Sequence, residues 1–262
     1  MNLLAAHLND AGLLFTDGER ILCREPGYAL LGDDGLITGR EAWASASLEP
    51  RRIQNRYWND LSTTALTDVR FTHLTAADLV SQQLEALWKR VAKPGDKLAL
   101  AVPGYMSTDN LGLLLGIAME LDIPVVAMVD AAVAATRRQY TNAVPVHIDL
   151  SLHSATVTRL TQDGQAQYER AALVAESGML DLYAIWLRMI AESFVQQSRF
   201  DPLHTAETEQ ALQDRMLDWL GSASTRDSVT MDIEYRGIAP VSYTHLTLPT
   251  KIKWWGGGGG GG

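Results

Sequence analysis

Residues 98–102, Leu98-Ala99-Leu100-Ala101-Val102, form an unbroken apolar run closed by Pro103-Gly104, and the chain on either side of them decides the fold. Such a run reads as a strand covered on both faces. Upstream, Thr75-Ala76-Ala77-Asp78 has the form of a capping box with Asp in place of Glu. Leu79, Leu84, Leu87, Trp88 and Val91 then share one face of a helix, which Pro94-Gly95-Asp96 stops. Downstream, Ser107 can cap a second helix running through Leu121, Val125 to Val129 reads as another buried strand, and alanine-rich Asp130 to Tyr140 reads as a third helix. Alternation of this kind predicts parallel strands joined by right-handed crossovers.

Further out, the chain opens with a β-meander. Leu3 to Leu8, Leu13 to Thr16 and Arg20 to Arg24 read as strands, turned at Asn9–Gly12 and Asp17-Gly18. Pro26-Gly27 ends the meander, and a loop-rich stretch follows, with a turn at Asp33-Asp34-Gly35 and a short helix from Gly39 to Ser47. Arg51, Arg52 and Arg56 stand beside Tyr57 and Trp58, either as a solvated basic face over packed aromatics or as cations facing an anion at a cleft. After Tyr140 the pattern restarts: strands at Val146–Leu152, Ala155–Leu160 and Gln167–Ala175, with a hairpin turn at Gln162-Asp163-Gly164. Gly178 precedes a helix from Met179 to Gln197, whose Leu182, Ile185, Trp186, Met189 and Ile190 recur at helical spacing. A helix from Thr205 to Leu220 and an alternating strand from Val229 to Tyr235 complete the pattern. This order suggests an α/β protein of two related lobes around a cleft, residues 1–143 and 144–238, with the second lobe truncated.

Composition narrows the function classes. Of 262 residues, 47% are hydrophobic and 20% charged, enough apolar material for a substantial core. A net charge of −9 and the lack of any Lys/Arg run longer than two argue against a nucleic-acid binder and against a polybasic membrane patch. No apolar stretch reaches spanning length, so membrane insertion is not expected. The one cysteine, Cys23, can form no internal disulfide, which fits a reducing cytoplasm.

The stretch 239–262 changes character. Ser242-Tyr243-Thr244-His245-Leu246-Thr247-Leu248-Pro249-Thr250 looks like a translated sequencing adapter, and Gly256 to Gly262 is unbroken glycine. It is expected to be an artefactual or disordered tail, with the natural chain continuing differently.

The ordered matches along Leu3 to Tyr235 resemble the Hsp70 nucleotide-binding domain, within the Hsp70/actin/sugar-kinase superfamily. Leu100-Ala101-Val102-Pro103-Gly104-Tyr105 is similar to the family's "TVPAYF" strand and turn, and Val129-Asp130-Ala131-Ala132-Val133-Ala134-Ala135 to its "NEPTAAA" segment. His147-Ile148-Asp149-Leu150 stands where its "DLGGGT" loop begins, and Ser177-Gly178-Met179-Leu180-Asp181 resembles its "GGEDFD" turn.

The resemblance implies an actin-like ATPase fold whose cleft takes ATP or ADP with Mg²⁺. It implies cofactor contacts at Asn9, Asp10 and Ala11 on the first loop and at Ser151, His153, Ser154, Thr156 and Gly178 on the second. It implies catalytic carboxylates at Asp130 and Asp149, with Asp149 also toward the metal. Such a site needs glycine-rich bends, whose bare backbone lets N–H groups wrap phosphate. Here His7 replaces the usual Asp, Asn9, Asp10 and Ala11 replace Gly-Thr-Thr, and Ser151-Leu152-His153-Ser154 replace the second set of glycines. Each residue also has a plainer reading: Asp130 as a helix cap, Asp149 as a turn former, Gly178 as a strand-to-helix turn, Asp10-Ala11-Gly12 as an ordinary hairpin, and His153 as a satisfied polar residue. The expectation is a pseudo-ATPase or weak nucleotide binder that serves protein partners as a scaffold or regulator. The alternatives are an active Mg-ATP-dependent ATPase with non-standard loops and an actin-like assembly protein.

Overall fold

A computed structural model describes residues 2–32, 35–67, 72–226, 228–234 and 241–244. The chain is mixed α/β and divides into two compact units, residues 1–183 and 184–262. The expected lobe boundary at 143/144 falls inside the first unit.

The first unit is built on a five-stranded sheet. Strands β1 (Leu3–His7), β2 (Leu13–Thr16) and β3 (Ile21–Glu25) form the antiparallel meander. Parallel to β1 lies β7 (Lys97–Val102), and parallel to β7 lies β8 (Val125–Asp130), giving the order β3-β2-β1-β7-β8. Helix α2 (Ala76–Val91) leads into β7, and α3 (Thr108–Glu120) joins β7 to β8. Both helices start where the sequence places them. Thr75 Oγ1 accepts from the Asp78 N–H while the Asp78 carboxylate takes the Thr75 N–H at 2.7 Å. Ser107 and Asn110 make the same reciprocal pair ahead of α3. Each box satisfies helix donors that would otherwise lack partners.

The buried faces of these elements meet in one core. Leu8, Leu13 and Phe15 of the meander are fully enclosed with Leu79 and Leu84 of α2, Leu98 and Leu100 of β7 and Leu114 of α3. Strand β7 alternates rather than being covered evenly, with Leu98, Leu100 and Val102 innermost. Strand β8, read as fully buried, lies at the edge of the sheet, and Val126 is 52% exposed. The expected Asp130–Tyr140 helix is a single short turn, α4 (Ala131–Ala135), which ends as Thr136 leaves helical geometry.

The stretch between the meander and α2 holds more structure than a loop. Strands β4 (Ala29–Gly32), β5 (Gly35–Thr38) and β6 (Ile53–Gln54) make a small antiparallel sheet in the order β5-β4-β6, with α1 (Arg40–Trp43) beside it. Asp33 and Asp34 of the expected turn lie outside the described residues. A second meander, β9 (Val146–Leu150), β10 (Ser154–Asp163) and β11 (Gln165–Ala175), repeats the antiparallel pattern of the first in the order β11-β10-β9. Gly164 makes the hairpin turn at φ 79°, which a side chain would strain.

Helix α5 (Met179–Ser198) leaves the first unit and enters the second. In the second unit α6 (Ala206–Ala223) and the hairpin β12 (Val229–Asp232) with β13 (Val241–Thr244) follow. Its core gathers Phe194, Leu212, Met216, Trp219 and Met231, with Phe194 6.3 Å from the Trp219 ring. Ile185 and Met189 of the anticipated apolar face are exposed instead. Tyr235 and the tail apart from Val241–Thr244 lie outside the described residues. Among those described, no helix is long and apolar enough to cross a membrane.

Candidate functional site

Two bends meet in the first unit. One, Asn9–Gly12, follows β1; the other, Ser151–Ser154, joins β9 to β10. Asn9 reaches across 140 residues of sequence, its Nδ2 donating to Asp149 Oδ1 at 2.6 Å and to the Leu150 carbonyl at 3.0 Å. Asp10 reaches further, and its Oδ1 accepts the Leu152 N–H at 2.7 Å. Asp10 is 0% exposed, a position a carboxylate rarely holds without a specific partner.

The residues behind the bends explain why they come together. The Asp10 carbonyl accepts the Gly27 N–H at 2.7 Å, and a Cβ on Gly27 would stand 2.9 Å from the Asp10 Cβ, so only glycine admits this approach. Below it, Gln83 Oε1 accepts from Tyr57 OH at 2.6 Å and from Trp58 Nε1 at 2.7 Å, while Gln83 Nε2 donates to the Pro26 carbonyl. On the other side, Gly178 lies against the second bend. A Cβ there would fall 2.3 Å from the Leu152 carbonyl oxygen. Met179 N–H and Leu180 N–H donate to the Ser151 and Leu152 carbonyls at 2.8 and 3.0 Å, and Asp181 accepts the Gly178 N–H at 3.0 Å. Gly178 is therefore both a strand-to-helix turn and part of the wall of the bend.

The electrostatics follow from burial. Removal from water pushes the Asp10 carboxyl up to about 6; the Leu152 and Ala11 N–H groups work against that rise and the Asp149 charge adds to it. Burial also acts to raise Asp149, but the His7 ring and the Asn9 amide outweigh it and hold that carboxyl below its ordinary value. His7 Nε2 lies 3.5 Å from Asp149 Oδ2, long for a hydrogen bond. Tyr105, half-buried with its hydroxyl enclosed, has its phenol pushed well up by desolvation first and by the Asp10 and Asp149 charges second. Neither Tyr105 OH nor Asp10 Oδ2 has a hydrogen-bond partner among the described residues.

The remaining site residues distribute as follows. Ser151 and Ser154 close the second bend on each other, Oγ to Oγ at 2.9 Å. Thr156 is buried on β10, in register with Asp149. His153 turns away, its Nε2 3.0 Å from the Asn55 carbonyl, and burial with the Arg56 charge lowers its pKa. Ala11 donates its N–H to Asn9 Oδ1 at 2.8 Å. Asp130 caps α4, taking the Ala132 N–H at 2.8 Å, while its other oxygen lies beside Gly104. Of the basic cluster, Arg52 pairs with Glu49, and Tyr57 and Trp58 are core residues.

Sequence reasoning passed over Tyr105, Gly27 and Gln83. Gln83 carried a signal: a polar residue on the apolar face of an amphipathic helix.

The implied nucleotide and Mg²⁺ do not fit the residues present. Phosphate needs free backbone donors, and four candidates are committed: Ala11 N–H to Asn9 Oδ1, Gly12 N–H to the Asn9 carbonyl, Ser151 N–H to the Ser154 carbonyl, and Leu152 N–H to Asp10. Asp149 is engaged by Asn9 and His7, and among the described residues no group of three or more His, Cys, Asp or Glu could hold a metal ion. Neither a protein-family model nor a curated protein matches the chain.

Proposed function

We propose that the chain is a divergent Hsp70/actin-like protein of two related lobes whose groove is closed by its own side chains, so that it serves other proteins as a non-hydrolysing scaffold or regulatory partner. The repeated meander supports the kinship of the lobes: β1-β2-β3 and β9-β10-β11 have the same antiparallel order, and their first strands carry the facing bends. The single observation that carries the loss of nucleotide chemistry is the Asp10 carboxylate on the Leu152 N–H. An anion already occupies the donor that a phosphate would need, and its charge, with that of Asp149, opposes a triphosphate.

Calorimetric titration of the full chain with ATP, with and without Mg²⁺, tests the reading. No heat of binding at millimolar ATP is expected. Saturable binding, with release of inorganic phosphate in the same sample, would replace the scaffold reading with that of an ATPase.

A further inference from the structure

We propose that a lysine-lined cavity at the C-terminal end of α2 is the docking site for an acidic segment of a partner protein, which sets carboxylates on Lys93 and Lys97 and an aromatic side chain against Trp88. The inference rests on the scaffold reading just given, and it adds where such a partner sits and what chemistry it brings.

Residues 1–238 contain three lysines, Lys89, Lys93 and Lys97, and every other Lys-or-Arg position there is arginine. All three lysines line one open cavity of about 530 Å³, within the size range of small binding sites. It lies at the far end of the sheet from the two bends, because the parallel register sets Leu3 beside Lys97 and His7 beside Ala101.

The wall of this cavity is fixed from within the fold. Asp96 is buried, and its oxygens take the Asn2 N–H at 2.8 Å and the Lys93 N–H at 3.1 Å. The Asp96 N–H returns to the Lys93 carbonyl at 3.0 Å, and Gly95 makes the reversal at φ 87°. The Leu98 N–H ties the start of β7 to the Pro124 carbonyl at 3.0 Å. Trp88 packs on the core and also lines the cavity, beside Pro94 and Pro124.

The cations around this wall are partly uncommitted. Lys89 is held by Glu85 at 2.6 Å. Lys93 and Lys97 are exposed, and their ammonium groups have no hydrogen bond or ion pair among the described residues. Asp96 spends its oxygens on backbone donors, so Asp122 is the opposing acid at the rim. An ammonium is a compact charge that takes a carboxylate from any side, and an indole next to it takes an aromatic ring. The overall charge of −9 repels an acidic segment, so local cations beside an apolar wall decide where it lands. Two uncommitted lysines are too small a footprint for a nucleic acid.

The test uses the full chain and, as probe, a fluorescein-labelled acetyl-Glu-Asp-Phe-Glu-Asp-Leu peptide, read by fluorescence anisotropy. Saturable binding is expected. The Lys93→Glu/Lys97→Glu chain should bind at least about tenfold more weakly, while Arg137→Glu/Arg138→Glu, an equal charge change at exposed positions elsewhere, should stay within about twofold of the parent. Lys93→Gln/Lys97→Gln gives a second reading of the loss should charge reversal unfold the chain. Bound peptide should also slow acylation of Lys93 and Lys97 by an N-hydroxysuccinimide ester, read by mass spectrometry. Absence of saturable binding, an equal loss in Arg137→Glu/Arg138→Glu, or acylation rates unchanged by the peptide would each overturn the proposal. So would tripolyphosphate that binds the unaltered chain more tightly than the peptide through the same two lysines, because the position would then be one for phosphate. Failure here leaves the scaffold reading standing, whereas MgATP binding by the unaltered chain removes that reading directly.

Discussion

Asp10 Oδ1 and the backbone N–H of Leu152 are 2.7 Å apart across 142 residues of sequence, and both residues are 0% exposed. This bond joins the bend after the first strand to the bend after the ninth. With the Asn9 bonds to Asp149 and Leu150, it makes a side-chain clamp between the two bends. A buried bond to a charged acceptor contributes more than a neutral one, but it leaves a desolvated charge that responds to pH.

That response has a definite sign. The folded Asp10 carboxyl sits at about 6 against 3.8 for the free group, so the folded chain binds the proton more readily than the unfolded chain does. Its contribution is therefore most favourable below 3.8 and is lost as pH rises through 6, by about 3 kcal/mol in all. Asp149, held below its ordinary value, acts oppositely, and its contribution fades only as pH falls below the free-carboxyl range. Urea unfolding at pH 5 and pH 7.5 should show the parent chain gaining stability toward pH 5, with Asp10→Asn losing most of that slope. An unchanged slope in Asp10→Asn would assign the pH dependence to other groups.

Gly178 should tolerate no side chain. A methyl group there would stand 2.3 Å from the Leu152 carbonyl oxygen and 2.6 Å from the Ser154 nitrogen, both backbone atoms that cannot swing aside. Gly178→Ala is expected to cost about 3 kcal/mol, the upper end for overpacking, and to lower the urea midpoint accordingly. A change under about 0.5 kcal/mol, the range of ordinary surface substitutions, would mean that the second bend is looser than described.

Much of this fold is legible in local sequence. The Thr75/Asp78 box, the Ser107 cap and the hairpin glycines act within a few residues of themselves, so their chemistry can be read where it stands. The alanines after Asp130 misled, because helix propensity alone cannot sustain a helix without a face to bury, and α4 ends at Ala135. The small sheet of β4 to β6 is hidden in the sequence because its strands are only two to four residues long and its β4–β6 pairing joins segments separated by a helix. At the two bends, the hydrogen-bond partners of Asn9 and Asp10 could not be read from sequence, because they lie 140 residues or more away. Asp10 reads from sequence either as a nucleotide contact implied by the resemblance or as part of an ordinary hairpin, because nothing near it in sequence announces that its carboxylate is committed to Leu152.

The most direct measurement is native-state hydrogen exchange at the Leu152 amide in the unaltered chain and in Asp10→Ala. If the carboxylate holds that N–H, protection at Leu152 should fall at least about tenfold more in Asp10→Ala than the change in global stability explains, while the core amides of Leu98 and Leu100 follow global stability alone. Protection at Leu152 that merely tracks those core amides would contradict the clamp and the self-filled groove built on it.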